Sequence, residues 1–481
     1  DRNPAATDGV FAFLRGLRPD DFALRAEILD PDVRRCINRS VHERACQVLN
    51  DAVQQRLHQP MARRGDPPAQ ARVEATALVL LFERVVWHRG RYGVEVANSS
   101  SWASVVRRRV QRFAAGELGD LYYEACHATV RRQSVRAAHD AGRAATDGAA
   151  ATQKALGRVT HLAEQAVRDG NLSRGMQRIL SQLNPPLDQS DPQVIEEYGK
   201  KVYADAPEDL SLLQDWERRY EELHGDTSEA ASFRLGSFTP SGQDHDVDTL
   251  DYVVAHLDPS AAGGVSGWTN KTLKRMDSTA FLRPVMELFF SADEEATFDA
   301  DDDFHTAVHR ALITCRAHAL NKERDATKPI NVRPLGLPEV FAQIACNCYL
   351  AQADNDWSPR LLEDSGQLAL GRDGTLLAFL SIERSLEALI QMNKACGANI
   401  SDARHGYNNM SRRSMQDGMI RYFSAGVRLF NTLYSLPYDC LLYDARAVGD
   451  MDPKVPVKRW RIGRGIICLL YTSPSPRDRS L

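Results

Sequence analysis

The chain has 481 residues, 43% of them hydrophobic, and a formal net charge of −4, which is length and apolar content enough for two to four domains with real cores. It contains no run of eighteen apolar residues, and its first residues, Asp1-Arg2-Asn3-Pro4, lack the charged-then-apolar shape of a secretory leader. These features predict an intracellular protein with no membrane partner. Nine cysteines lie scattered without CxxC pairs, and the close pair Cys346 and Cys348 falls in an apolar helical stretch where thiols behave as small hydrophobes, which argues against a disulfide framework or a zinc site.

The average charge hides a partition. Residues 1 to 140 are mildly basic, with Arg107, Arg108, Arg109 and Arg112 clustered; residues 185 to 310 are acidic and include the run from Asp299 to Asp303; from Ala311 to Ile466 the balance is mildly basic again. A polyanion belongs on the third zone rather than the second.

In residues 1 to 140, apolar positions recur at helical spacing, as in Val73, Ala77, Leu78, Leu81, Phe82, Val85 and Val86. The arginine cluster reads as a solvated helix face before it reads as a phosphate site. Ala141 to Ala151 has the Gly and Ala content of a linker, and helical periodicity then runs from Thr152 to Leu183, where Asn184-Pro185-Pro186 stops it. A second helical piece spans Pro192 to Tyr220, and Gly225 to Asp248 reads as a polar connector. The stretch 141 to 244 is thus a helical connector region.

From residue 245 short helices alternate with β-like runs, the pattern of an α+β domain. Gly263 to Trp268 is a glycine-rich structural turn, since it lacks both the Gly-Lys-Ser/Thr ending and the preceding strand of a phosphate loop. An apolar run with Leu312 and Ile313, a polar turn through Lys322 to Lys328 and the run Ile330 to Gly336 predict a hairpin, followed by a helix from Glu339 to Gln352. Lys322 and Arg333 on that hairpin could hold a triphosphate, as guanidinium and ammonium groups neutralise its charge; exposed hairpins also carry such residues for solubility. His305, His309 and His318 fall near helical spacing but lack a metal-binding frame, so they read as surface or core histidines.

The stretch Ile400 to Arg413 is the most informative. Ala398 and Ile400 alternate with polar residues and deliver Asp402 to a strand end, where a metal-binding carboxylate belongs. A two-metal nucleotidyl transferase needs such a group to bridge Mg²⁺ ions. Tyr407 could then press on an incoming sugar and exclude a 2′-hydroxyl. The alternative makes Asp402 the cap of a helix starting near Asn409, with Tyr407 as a packing staple.

Taken together, these segments resemble the reverse transcriptases of non-LTR retrotransposons. Arg333-Pro334-Leu335-Gly336-Leu337 with Glu339-Val340 is similar to their finger segment, and Ser365 to Gly371 with the following helix to their Gln-x-Gly block. Asp402 with Tyr407, Asn408 and Ser411-Arg412-Arg413 is similar to their first palm motif. Gly170-Asn171-Leu172-Ser173-Arg174 resembles a helix found before such domains, and Val265 to Thr269 their Gly-Trp opening. Arg461 to Gly465 resembles the start of the second palm motif, with Arg464-Gly465 where Gln-Gly is usual.

The resemblance implies a mainly α-helical N-terminal region followed by an incomplete fingers-palm fold over 245 to 466. It implies an RNA-directed DNA polymerase in which Asp402 binds Mg²⁺, while Lys322, Arg333, Tyr407 and Gly465 contact substrate. The partners implied are an RNA template, a DNA primer and deoxynucleoside triphosphates, inside the cell and, in a eukaryotic host, in the nucleus. His405 and Gly406 depart from the usual Asn and Ala before the aromatic. No aromatic-Asp-Asp segment follows Gly465, so the chain is expected to be inactive as it stands. Residues 467 to 481 resemble a translated sequencing adapter, and the natural protein is expected to continue past Ile467. The rival reading is a non-catalytic nucleic-acid-binding helical protein that uses the basic N-terminal helices; a structural helical scaffold is the other.

Overall fold

A computed structural model of the chain describes residues 4–24, 34, 37–58, 69–88, 99–127, 164, 187, 189–205, 208–225, 233, 235–240, 244–259, 261, 263–276, 278–290, 298–299, 301–321, 329–365, 374–392, 406–443 and 456–465. They form a mixed α+β structure in which helices predominate and the sheets are small.

The N-terminal part is helical as expected: α1 (Pro4–Arg15), α2 (Pro19–Ala23), α3 (Arg39–His58), α4 (Gln70–Val86), α5 (Ser99–Ala114) and α6 (Leu118–His127). Helix α4 is the hub. It holds no Gly or Pro, and it is buried on all sides, Glu74, Glu83 and Arg84 included. Its charges are compensated one by one, as buried charges must be. Glu74 accepts from Arg15 and Gln70 and is also paired with Arg56. Glu83 takes both terminal nitrogens of Arg34, and Arg84 donates to the Asp21 and Phe22 carbonyls.

After residue 187 come α7 (Pro192–Lys201), a 3-10 turn (Leu210–Leu213) and α8 (Trp216–His224). The helical run read over Pro192 to Tyr220 is therefore broken, and Asp191, Pro192 and the last-turn Lys200 and Lys201 fix α7 at both ends. The connector read from Gly225 to Asp248 holds a short ladder of β1 (Ser237–Phe238) with β2 (Val247–Asp248). Helices α9 (Thr249–His256), α10 (Asn270–Leu273), α11 (Thr279–Phe290) and α12 (Asp303–Ile313) follow. Asp302 caps α12 by accepting from Phe304 and His305. Leu312 and Ile313, read as the start of a strand, are instead the buried last turn of α12.

The predicted hairpin is present: β3 (Cys315–Asn321) pairs antiparallel with β4 (Val332–Pro338), in the register Cys315 to Pro338 through Asn321 to Val332. The polar turn between them falls outside the described residues. Next come α13 (Val340–Ser365), α14 (Gly374–Gln391), a single turn α15 (Gly406–Asn409), α16 (Arg412–Tyr422) and α17 (Val427–Tyr434). Strand β5 (Tyr438–Leu442) then lies parallel to β3, and β6 (Lys458–Ile462) lies antiparallel to β5, giving the order β4-β3-β5-β6.

One apolar cluster runs from Leu14 to Ile462, across residues 140 and 244. Trp268 is its seam. Fully buried, it donates its indole N–H to the Val79 carbonyl of α4 at 2.8 Å and lies beside Phe82 and Phe281. The sheet is closed on one face by α7, whose Tyr198 stacks on Trp460 and reaches the Cys440 sulfur and the Leu335 carbonyl.

Candidate functional site

Of the residues singled out in the sequence, Asp402 and Lys322 lie outside the described residues, as do the linker from Ala141, the segment Gly170 to Arg174 and the tail after Gly465. Tyr407 lies in α15, and only its backbone is described. Arg333 sits exposed on β4 opposite Leu320, and Gly465 follows β6.

The first and second palm-like segments meet. Gly465 has φ +68°, donates its N–H to the Met410 carbonyl at 3.0 Å, and approaches Asn408 so closely that a Cβ would run into the Asn408 backbone. Only glycine adopts that conformation without strain and leaves that space. Arg412, fully buried, completes the junction. Its guanidinium donates to four carbonyls: Gly465 at 2.9 Å, Ile462 at 3.0 Å, Tyr434 at 2.8 Å and Leu436 at 3.0 Å. One side chain thus ties the start of α16 to the end of α17 and to the turn after β6.

The helix expected near Asn409 is two pieces, α15 and α16, and the cap of the longer one is Ser411, which accepts from the Ser414 N–H at 3.2 Å. Glu208 lies against the same helix end. Its carboxylate accepts from Ser411 Oγ, from Arg412 N at 2.6 Å and from Arg413 N at 3.1 Å. Burial pushes its pKa up, but these bonds outweigh it and hold the carboxyl below the ordinary glutamate value. Nothing in the sequence around Glu208 marks it, since its partner lies some two hundred positions away.

A second pair of distant segments interlocks at Glu339. Its carboxylate accepts from the Val265 N–H, from Ser266 N at 2.8 Å and from Ser266 Oγ at 2.6 Å. Gly264 leaves the room, since a Cβ there would stand about where the Glu339 carboxylate is. Burial raises the Glu339 pKa, against the pull of those bonds. Gly263 to Trp268 is therefore a structural turn held from the end of the hairpin, in keeping with its reading in the sequence.

Helix α7 links the hairpin to the palm-like segment. Lys201 Nζ donates to Asn331 Oδ1 and to the Val332 carbonyl, each at 2.6 Å, and Asn408 Nδ2 donates to the Lys201 carbonyl at 3.2 Å. The strand that bears Arg333 and the turn that bears Tyr407 are thus anchored to one residue.

The arginine cluster read as a solvated face divides. Arg107 and Arg108 are exposed. Arg109 is buried, donating to the Val86 and His88 carbonyls, and Arg112 pairs with Glu117 and Glu124. His305 and His309 are core residues, hydrogen-bonded to Gln70 and to the Thr432 carbonyl. Among the described residues, no three His, Cys, Asp or Glu side chains gather as a metal would require, and no helix is long and apolar enough to cross a membrane. No protein-family model, curated protein or solved structure matches the chain.

Proposed function

We propose that the chain is a portion of an RNA-directed DNA polymerase of the non-LTR retrotransposon type, comprising its fingers and the first part of its palm. The observation that supports this most is the way the polymerase-like segments hold one another. Val265 and Ser266 of the opening segment are gripped by Glu339 of the finger segment, and Gly465 of the second palm segment seats on Asn408 and Met410 of the first. Segments alike only by chance have no reason to interlock through the residues that make them alike.

In this reading Asp402 is the carboxylate that would hold Mg²⁺, the ion that supplies charge neutralisation and an activated hydroxyl in nucleotidyl transfer. Asp402 itself lies outside the described residues. Arg333, exposed on β4, would meet the phosphates of an incoming deoxynucleotide together with Lys322. Tyr407, anchored through its neighbour Asn408, would face the sugar, and Gly465 would keep the turn beside it tight. With no aromatic-Asp-Asp segment after Gly465, the chain as it stands is proposed to be inactive.

The test is the coding sequence downstream of Ile467. An in-frame aromatic-Asp-Asp segment within about one domain length is expected, and the chain so continued should incorporate deoxynucleotides on a primed RNA template. Asp402→Asn should abolish that incorporation. A continued chain that carries the segment and yet incorporates nothing, or one whose activity survives the Asp402→Asn substitution, would overturn the reading.

A further inference from the structure

Between α9 and the start of α11 lies a cavity of about 230 Å³, to which none of the polymerase-like segments contributes a residue. Asp251, Val254 and Ala255, spaced so that they share one face of α9, form one wall. Lys274, Met276 and Ser278, on the chain that leads from α10 into α11, form the other. Val254, Met276 and Ser278 are buried and make the floor, while the exposed Asp251, Ala255 and Lys274 stand at the rim.

The polar groups on these walls lack the partners that their chemistry calls for. Ser278 stands at the N-cap of α11, since its carbonyl accepts from the Leu282 N–H at 2.9 Å. A serine there ordinarily turns its hydroxyl onto the N–H groups of the first turn. Ser278 is only 1% exposed, and its Oγ makes no hydrogen bond among the described residues. The first turn of α11 also holds no acidic residue to answer its positive end. Lys274 Nζ donates to the Leu257 carbonyl at 3.0 Å, which fixes the ammonium at the rim and leaves it further protons to give. On the opposite wall the Asp251 carboxylate has no hydrogen bond or ion pair among the described residues. Two opposite charges thus line one cavity without pairing with each other.

We infer that this cavity is a binding site for a free α-amino acid with an apolar side chain. Charge decides first. A simple anion would suit Lys274, Ser278 and the helix end but would meet the Asp251 carboxylate. A simple cation would suit Asp251 but would meet Lys274 and the positive end of α11. A zwitterion answers both walls: its carboxylate takes the Lys274 ammonium and the Ser278 hydroxyl, and its ammonium takes Asp251. Size decides next. At about 30 Å³ for each water the 230 Å³ would hold about eight, which suits an amino acid and falls short of the about 300 to 1,000 Å³ that drug-sized ligands occupy. Val254 and Met276 on the floor favour an apolar side chain over a polar one. The inference goes beyond the polymerase reading and stands on α9 and α11 alone.

The full chain is titrated calorimetrically with L-leucine. Two analogues are run beside it: 4-methylpentanoate, which lacks the ammonium group, and 3-methylbutylamine, which lacks the carboxylate. L-leucine should saturate one site, and each analogue should bind at least about tenfold more weakly, as expected for the loss of a hydrogen bond between charged groups. Asp251→Asn and Lys274→Gln, both at exposed positions, should each weaken L-leucine by about tenfold or more, and Ser278→Ala should weaken it by a smaller factor. A wild-type chain that shows no saturable binding of L-leucine at millimolar concentration would overturn the inference. So would 4-methylpentanoate binding as tightly as L-leucine, since the site would then be a seat for a simple anion. Unchanged L-leucine binding by a double variant, Asp251→Asn with Lys274→Gln, that circular dichroism shows to be folded would place the ligand elsewhere and overturn it as well.

Discussion

Gly465 donates its N–H to the Met410 carbonyl at 3.0 Å while its Cα rests against the backbone of Asn408. Two stretches more than fifty residues apart therefore share one tight junction, and its tolerance for change is small. Gly465→Ala combines a positive φ, which costs an alanine about 1 to 3 kcal/mol, with a backbone clash that cannot be relieved by a rotamer. Urea unfolding should show a loss of at least about 2 kcal/mol. A variant within about 0.5 kcal/mol of wild type would mean that the turn opens freely and that the junction is not a fixed feature.

Neighbouring arginines at the start of α16 should behave very differently. Arg412 has no exposed surface and satisfies four carbonyls, so Arg412→Ala leaves several buried acceptors bare at about 1 to 3 kcal/mol each. The variant should be unfolded or close to it by circular dichroism. Arg413, whose side chain is 28% exposed, pairs with Asp215 and Asp417 at the surface, and its replacement by alanine should cost less than about 1 kcal/mol. Equal losses at the two positions would contradict the geometry.

Such contrasts show where the sequence is legible. The hairpin of β3 and β4 can be read because a polar turn through Lys322 to Lys328 separates an apolar run from the run Ile330 to Gly336, and the turn at Gly263 to Trp268 because its glycines lack a phosphate-loop frame. The burial of Arg109 cannot be read. It looks like Arg107 and Arg108 in sequence, and only the return of Val86 and His88 beside it in three dimensions gives it carbonyls to fill. The same holds for Glu208 and for the seam at Trp268, whose partners are set by tertiary packing rather than by local pattern. Leu312 and Ile313 mislead because a short apolar run suits a buried helix end as well as a strand.

At Glu339 the carboxylate serves as acceptor for two backbone N–H groups and one hydroxyl. Glu339→Ala leaves the Val265 and Ser266 amides unpaired in a buried setting and should cost about 3 to 5 kcal/mol. Glu339→Gln keeps one carbonyl acceptor and should cost less. If glutamine proved as damaging as alanine, the charge rather than the acceptor geometry would be what holds the turn. Thermal unfolding of the two variants side by side decides it.

Acid should loosen the protein through its buried histidines. Burial holds His309 down to about 4, with the Thr432 carbonyl contact opposing and Arg310 adding to the shift; His42, His88 and His305 are lowered in the same sense. A histidine whose folded pKa lies below its unfolded value of about 6.5 binds more protons unfolded than folded. Its stabilising contribution is complete above that unfolded value and is lost as pH falls from there toward about 4. The linkage gives His309 alone up to about 3 kcal/mol across that window. Buried Glu83 and Glu339, with raised values, work in the opposite direction, so the test is a difference. His309→Gln keeps a donor for the Thr432 carbonyl and removes the titration. Its stability relative to wild type should therefore improve steadily as pH is lowered from about 7 toward about 4.5. A difference that stays constant with pH would show that His309 does not titrate between folded and unfolded states as its burial requires.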